Sequence, residues 1–118
     1  MSKKILIADD DKTLTKILSS FLVEHGYKII VAHDGEEALM KLEFELPDLI
    51  LLDVEMPKIN GYAFLFDMKK LEQSAQTPVI VLTCKDEMRD LFKVEGVKEY
   101  IVKPFVNQDL LKMIQKYI

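Results

Sequence analysis

Four short apolar runs in this chain each end abruptly on a side chain able to do chemistry. Ile5-Leu6-Ile7-Ala8 runs straight into Asp9, Asp10 and Asp11, and Leu49-Ile50-Leu51-Leu52 stops on Asp53. Pro78-Val79-Ile80-Val81-Leu82 ends on Thr83, and Tyr100-Ile101-Val102 ends on Lys103. Carboxylates drawn together repel one another, so a site built from them either raises a pKa or holds a cation. Carboxylate and carbonyl oxygens suit magnesium or manganese, and magnesium is commonly completed by waters and phosphate oxygens. A threonine hydroxyl and a lysine ammonium are groups that a phosphoryl oxygen needs. Gathered in one place, this set describes metal-assisted phosphoryl transfer.

Whether they gather depends on the elements that carry them. Apolar runs without alternation read as strands covered on both faces, and residues at their carboxyl ends lie where open α/β sheets place ligands. Between the runs the apolar spacing is helical. Leu14, Ile17, Leu18, Phe21 and Leu22 mark a one-sided helix over Lys12 to His25, and Gly26 supplies a left-handed stop. Lys28 to Ala32 reads as a second strand, and Asp34-Gly35 leads into a helix over Glu36 to Glu45 that Pro47 closes. Pro57 and Asn60-Gly61 make the stretch after Asp53 a loop, followed by a helix from about Tyr62 to Leu71 with Phe64, Leu65 and Met68 turned inward. Asp86 could cap a short helix reaching Val94, which Gly96 ends, and Asn107 could cap a last helix carrying Leu110, Leu111, Ile114 and Ile118. Strand and helix alternate five times. Right-handed crossovers then predict an α/β fold, a doubly wound five-stranded parallel sheet with helices on both faces and every strand ending on one edge.

Composition narrows the class. A chain of 118 residues, 49% hydrophobic and 31% charged, reads as one soluble domain over residues 1–118. The start MSKKILIADD has too short an apolar run for a signal-peptide core, and the reading is cytoplasmic with no membrane insertion. A net charge of −4 argues against direct nucleic-acid binding. The one cysteine, Cys84, can form neither an intramolecular disulfide nor a cysteine zinc site, and is expected as a small buried residue. His25 and His33 have no partner at metal-ligand spacing and read as ordinary surface or helix-end residues.

ILIADDD, LLDVEMPKING, VIVLT and YIVKPF, in this order over the whole chain, closely resemble the receiver domain of two-component response regulators. The resemblance implies a flavodoxin-like fold with strand order 2-1-3-4-5. It implies that Asp53 accepts a phosphoryl group from a histidine kinase or histidine phosphotransfer protein, forming an acyl phosphate. Asp10 and Asp53 would then bind Mg2+ directly, with the backbone carbonyl of Glu55 as a further ligand and Asp9 acting largely through water. Lys103 would pair with phosphoryl oxygens, Thr83 would hydrogen-bond to them, and Tyr100 would change rotamer to alter a protein-interaction face for an unidentified downstream protein. The family's cis peptide falls at Lys103-Pro104. Such a chain is a signalling switch that catalyses its own phosphorylation rather than a turnover enzyme. Two departures bear on output: Cys84 stands where the family usually has alanine or another small residue, and the interval from Thr83 to Gly96 looks about two residues short, so the helix there should be short or irregular.

Two other readings compete. ILIADDDKTL also fits the hhhhDxDxT pattern of haloacid-dehalogenase-type phosphatases, with Asp9 as nucleophile and Asp11 as acid/base. That reading leaves DVEMPKING unexplained and finds no acid pair after a later strand. A phosphorylation-independent scaffold of receiver fold is the other, and the intact acid set argues against it.

Overall fold

The expected alternation is present wherever the structure describes the connection between strands. The computed structural model describes residues 2–84 and 96–118. Its elements run β1 (Lys4–Ala8), α1 (Lys12–Glu24), β2 (Lys28–Ala32), α2 (Gly35–Glu45), β3 (Leu49–Asp53), α3 (Gly61–Met68), β4 (Val79–Thr83), β5 (Glu99–Val102) and α4 (Asn107–Gln115). All neighbouring strands pair parallel, in the order β2-β1-β3-β4-β5. The helix expected between Asp86 and Val94, and the interval that looks short, lie outside the described residues.

Alternation along each strand divides the core into two layers. Leu6, Ala8, Ile50, Leu52, Val79 and Val81 pack with Ala38 and Leu42 of α2 and Phe64, Leu65 and Met68 of α3. Ile5, Ile7, Leu49, Leu51, Ile80 and Leu82 pack on the opposite face with Leu18 and Leu22 of α1 and Leu110, Leu111 and Ile114 of α4. Helices therefore cover both faces, and β3 and β4 are buried throughout, which is why their sequences carry no polar alternation. Among the described residues no helix is long and apolar enough to cross a membrane.

The helix ends hold local chemistry. Asp11, Asp34 and Asn60 cap α1, α2 and α3, each accepting a backbone N–H three residues on. Gly26 has φ 92° after α1, and Leu46 takes the left-handed cap of α2 ahead of Pro47. Replacing Asp11 with alanine removes the cap bond to Leu14 and should cost about 1 kcal/mol, read as a fall of about 4 °C in thermal unfolding.

Three local expectations are corrected. Ile17 is 53% exposed, so the buried stripe of α1 is narrower than its apolar spacing. Asn107 is the first helical residue of α4 rather than its cap; Val106 holds the cap position and offers no side-chain bond. The third helix stops at Met68, with turns carrying the chain to β4, instead of reaching Leu71.

Candidate functional site

Strand register fixes the site before any side chain is considered. Ala8 pairs with Leu52, Asp53 with Leu82, and Thr83 with Val102, so Asp9, Asp53, Thr83 and Lys103 follow one another along one sheet edge. Asp9 and Asp53 are buried, as is Thr83. One ligand oxygen from each of Asp9, Asp10 and Asp53 can lie within 4.8 Å of the others, with Asp10 exposed at the mouth. An open cleft of about 320 Å³ above them is lined by Asp10, Asp11, Asp53, Glu55, Thr83, Cys84 and Lys103.

The two buried acids are held differently. Asp9 accepts from Lys103 Nζ at 2.7 Å on one oxygen and from the Asp11 backbone N–H at 2.9 Å on the other. Asp53 faces the cleft, with Lys103 Nζ 3.7 Å away and, among the described residues, a long 3.4 Å bond from the Glu55 N–H. Lys103 thus spans both carboxylates, and the Lys103-Pro104 peptide is cis. Glu55 is exposed beside the cleft, and Tyr100 is half-buried against the layer that contains α2 and α3.

Cys84 corrects an expectation. It is exposed, because β4 ends at Thr83 and the chain turns out along the cleft wall at the next residue. Asp11 is the N-cap of α1, as its place at a helix start implied. His33 is more than a surface residue: its Nδ1 lies 3.1 Å from the Asp9 carbonyl oxygen, an acceptor, so that nitrogen carries the proton. Only its place directly after β2, beside β1, could have drawn attention to it.

The family model for the response regulator receiver domain matches residues 5–115. The chain belongs to the response regulator receiver family. Its relatives include the transcriptional regulatory protein CpxR of Escherichia coli K12, 45% identical over 114 residues, which are 95% of this chain and 47% of that protein. The chain spans about half the length of the curated relatives it matches. Among solved structures, the chemotaxis protein CheY4 of Vibrio cholerae superposes with a TM-score of 0.93 at 32% identity, covering 100% of both chains. The receiver domain of the sensor histidine kinase PA1611 of Pseudomonas aeruginosa, with magnesium coordinated in its active site cleft, gives 0.90 at 25% identity over 99% of this chain and 98% of that one.

Electrostatics in this receiver follow from crowding acids on a buried edge. Burial, then the charge of Asp9, pushes Asp53 up to about 7, against the pull of Lys103. Among the described residues three carboxylates face one ammonium, and their oxygen-only donor set fits a hard divalent cation. The folded pKa lies above the ordinary carboxylate value, so the folded protein binds the extra proton between about pH 4 and pH 7. Metal-free stability should therefore fall as pH rises through that window. Mg2+ should reverse the loss at pH 8 by binding the ionised form, and unfolding scans with EDTA or Mg2+ at pH 5 and pH 8 read both effects.

Proposed function

We propose that this receiver takes up a phosphoryl group on Asp53 from a phosphohistidine, supplied in the cytoplasm by a histidine kinase or a histidine phosphotransfer protein. One observation carries the choice of residue: of the two buried acids, Asp53 lines the cleft while both oxygens of Asp9 are already engaged. An Asp53 oxygen attacks phosphorus, the P–N bond breaks, and the imidazole leaves with the electron pair and takes a proton. The product is an aspartyl phosphate.

Asp10 and Asp53 would hold Mg2+ directly, with the Glu55 backbone carbonyl, and Asp9 would act through water; Mn2+ suits the same oxygens. When bound, the ion offsets the charge of carboxylates and phosphate. The magnesium coordinated in the active site cleft of the PA1611 receiver supports a magnesium site in this cleft. Lys103, 3.7 Å from Asp53, stands where its ammonium can follow the phosphoryl oxygens, and Thr83 offers them a hydroxyl. Movement of Thr83 towards the phosphoryl group would free Tyr100 to change rotamer, so that the signal leaves as an altered surface for a protein target. Residues 1–118 would act as one receiver unit, a switch rather than a turnover enzyme.

The geometry disfavours the phosphatase reading, since Asp9 does not line the cleft. A test of the whole scheme is label transfer from a phosphorylated histidine kinase. One phosphoryl group per chain is expected with Mg2+, and EDTA should suppress transfer; undiminished transfer in EDTA would remove the metal from the scheme.

A further inference from the structure

The carboxyl end of β2 carries His33, Asp34 and Gly35, and none of them lines the cleft. They nevertheless touch both halves of the acid site. His33 meets the Asp9 carbonyl on one side. On the other, the Gly35 N–H donates to the Pro57 carbonyl at 3.3 Å, and Lys58 Nζ stands 3.7 Å from Asp34. Lys58 has φ 69°, a left-handed conformation that costs about 1 kcal/mol outside glycine, so this turn is held by its surroundings.

Gly35 leaves no room for a side chain. A Cβ there would stand 2.5 Å from Ile59 Cβ and would overlap the Ile59 carbonyl oxygen. The obstruction is backbone, which cannot swing aside as a side-chain tip can. At the far end of the loop the Gly61 N–H donates to the Val54 carbonyl at 2.8 Å, and a Cβ on Gly61 would lie 2.5 Å from the Asp53 carbonyl oxygen. Residues 54–60 are thus closed at their ends by Gly61 against Asp53 and Val54, and rest on Gly35 at Pro57 and Ile59. A Cβ at Gly35 would press on Ile59, two residues before Gly61, whose N–H closes the loop on Val54.

We propose that Gly35 is a positioning residue for the cation site: it seats the 54–60 loop and thereby sets the separation of Asp53 and Glu55 from Asp9 and Asp10. This rests on the metal-assisted acceptor reading, because the role matters to function only if those groups share an ion. Sites of this kind tolerate misplacement of only about 0.5 Å.

The test compares Gly35→Ala with Gly26→Ala in the 118-residue chain. Gly26 has φ +92° and open space around an added Cβ, so alanine there brings backbone strain without a push on the site. Mg2+ affinity is read by calorimetry, and amide exchange at the Gly61 N–H is read in EDTA. Gly35→Ala should weaken Mg2+ binding by about 10-fold or more and lower protection at Gly61. Gly26→Ala should lower thermal stability but keep both readouts at wild-type values. If Gly35→Ala fails to fold, Asp34→Asn keeps a capping oxygen, removes the charge facing Lys58, and should weaken Mg2+ binding by about threefold. Wild-type affinity and protection in a folded Gly35→Ala, or equal losses in Gly26→Ala, would overturn the proposal, as would wild-type affinity in Asp34→Asn where Gly35→Ala does not fold. A wild-type chain that bound no Mg2+ would overturn the acceptor reading and this role together; a wild type that binds Mg2+ with unchanged Gly61 exchange in Gly35→Ala would overturn the role alone.

Discussion

Asp53→Asn is expected to lower phosphoryl uptake from a phosphohistidine or a small phosphodonor by at least ~10³-fold. An amide oxygen of the same shape is a far weaker nucleophile and cannot leave an aspartyl phosphate behind. The same change should act on the metal-free fold. Burial and the charge of Asp9 raise the Asp53 pKa to about 7, so above that pH the wild type keeps a crowded, ionised carboxylate that asparagine lacks. At pH 8 in EDTA the variant should be the more stable protein by about 1–2 kcal/mol, a figure kept small because solvent in the cleft screens the repulsion. At pH 4, where Asp53 is protonated, the difference should vanish. Mg2+ should stabilise the variant much less than the wild type. Uptake that survives in Asp53→Asn would move the nucleophile elsewhere.

Lys103→Met should be nearly as damaging, and for two separable reasons. Its ammonium gives a 2.7 Å bond to Asp9, which is fully buried, and stands 3.7 Å from Asp53. Burial opposes the charge on Lys103, but the hydrogen bond and charge of Asp9, with help from Asp53, outweigh it and raise the lysine above its ordinary value. Removing one partner of such a pair leaves a buried carboxylate uncompensated, at a cost of about 2–3 kcal/mol with allowance for the lysine's partial exposure. A raised lysine pKa contributes stability that is fully present below 10.5 and is lost as pH rises through the folded value. The deficit of Lys103→Met should therefore hold across neutral pH and shrink in strong alkali. Phosphoryl uptake should fall about 10²-fold, because a cation aimed at the developing phosphoryl charge is gone. Adding Asp9→Asn should recover much of the stability and none of the uptake. Denaturant curves beside initial uptake rates separate the two, and equal stability of Lys103→Met and wild type at pH 8 would contradict the pairing.

Most of the fold was legible because burial writes itself into composition. β3 and β4 are covered on both faces and carry no polar alternation, so both strands could be read with their carboxyl ends, Asp53 and Thr83, in place. Once strands of known ends lie parallel, register alone brings Asp9, Asp53, Thr83 and Lys103 together, and spacing sufficed. What escaped was anything decided by contact instead of pattern. Cys84 reads as a small core residue by type, yet it lies one position beyond the strand, where the chain has already turned to the surface. Ile17 fits the helical stripe but sits at its margin, and only the width of the α1 contact leaves it exposed. The second strand is the instructive omission. It leads into His33, Asp34 and Gly35, which carry no obvious phosphoryl chemistry; the His33 ring meets the backbone carbonyl of Asp9 and the Gly35 N–H meets that of Pro57, contacts that no residue type announces.

In the proposed function Asp53, and not Asp9, carries the phosphoryl group. Wild-type protein phosphorylated in Mg2+ and trapped by borohydride reduction, which marks an acyl phosphate at its residue of origin, can be mapped by peptide mass spectrometry. A single modified residue at Asp53, absent when the donor is withheld, is the expected result. Modification at Asp9 with Asp53 untouched would contradict it.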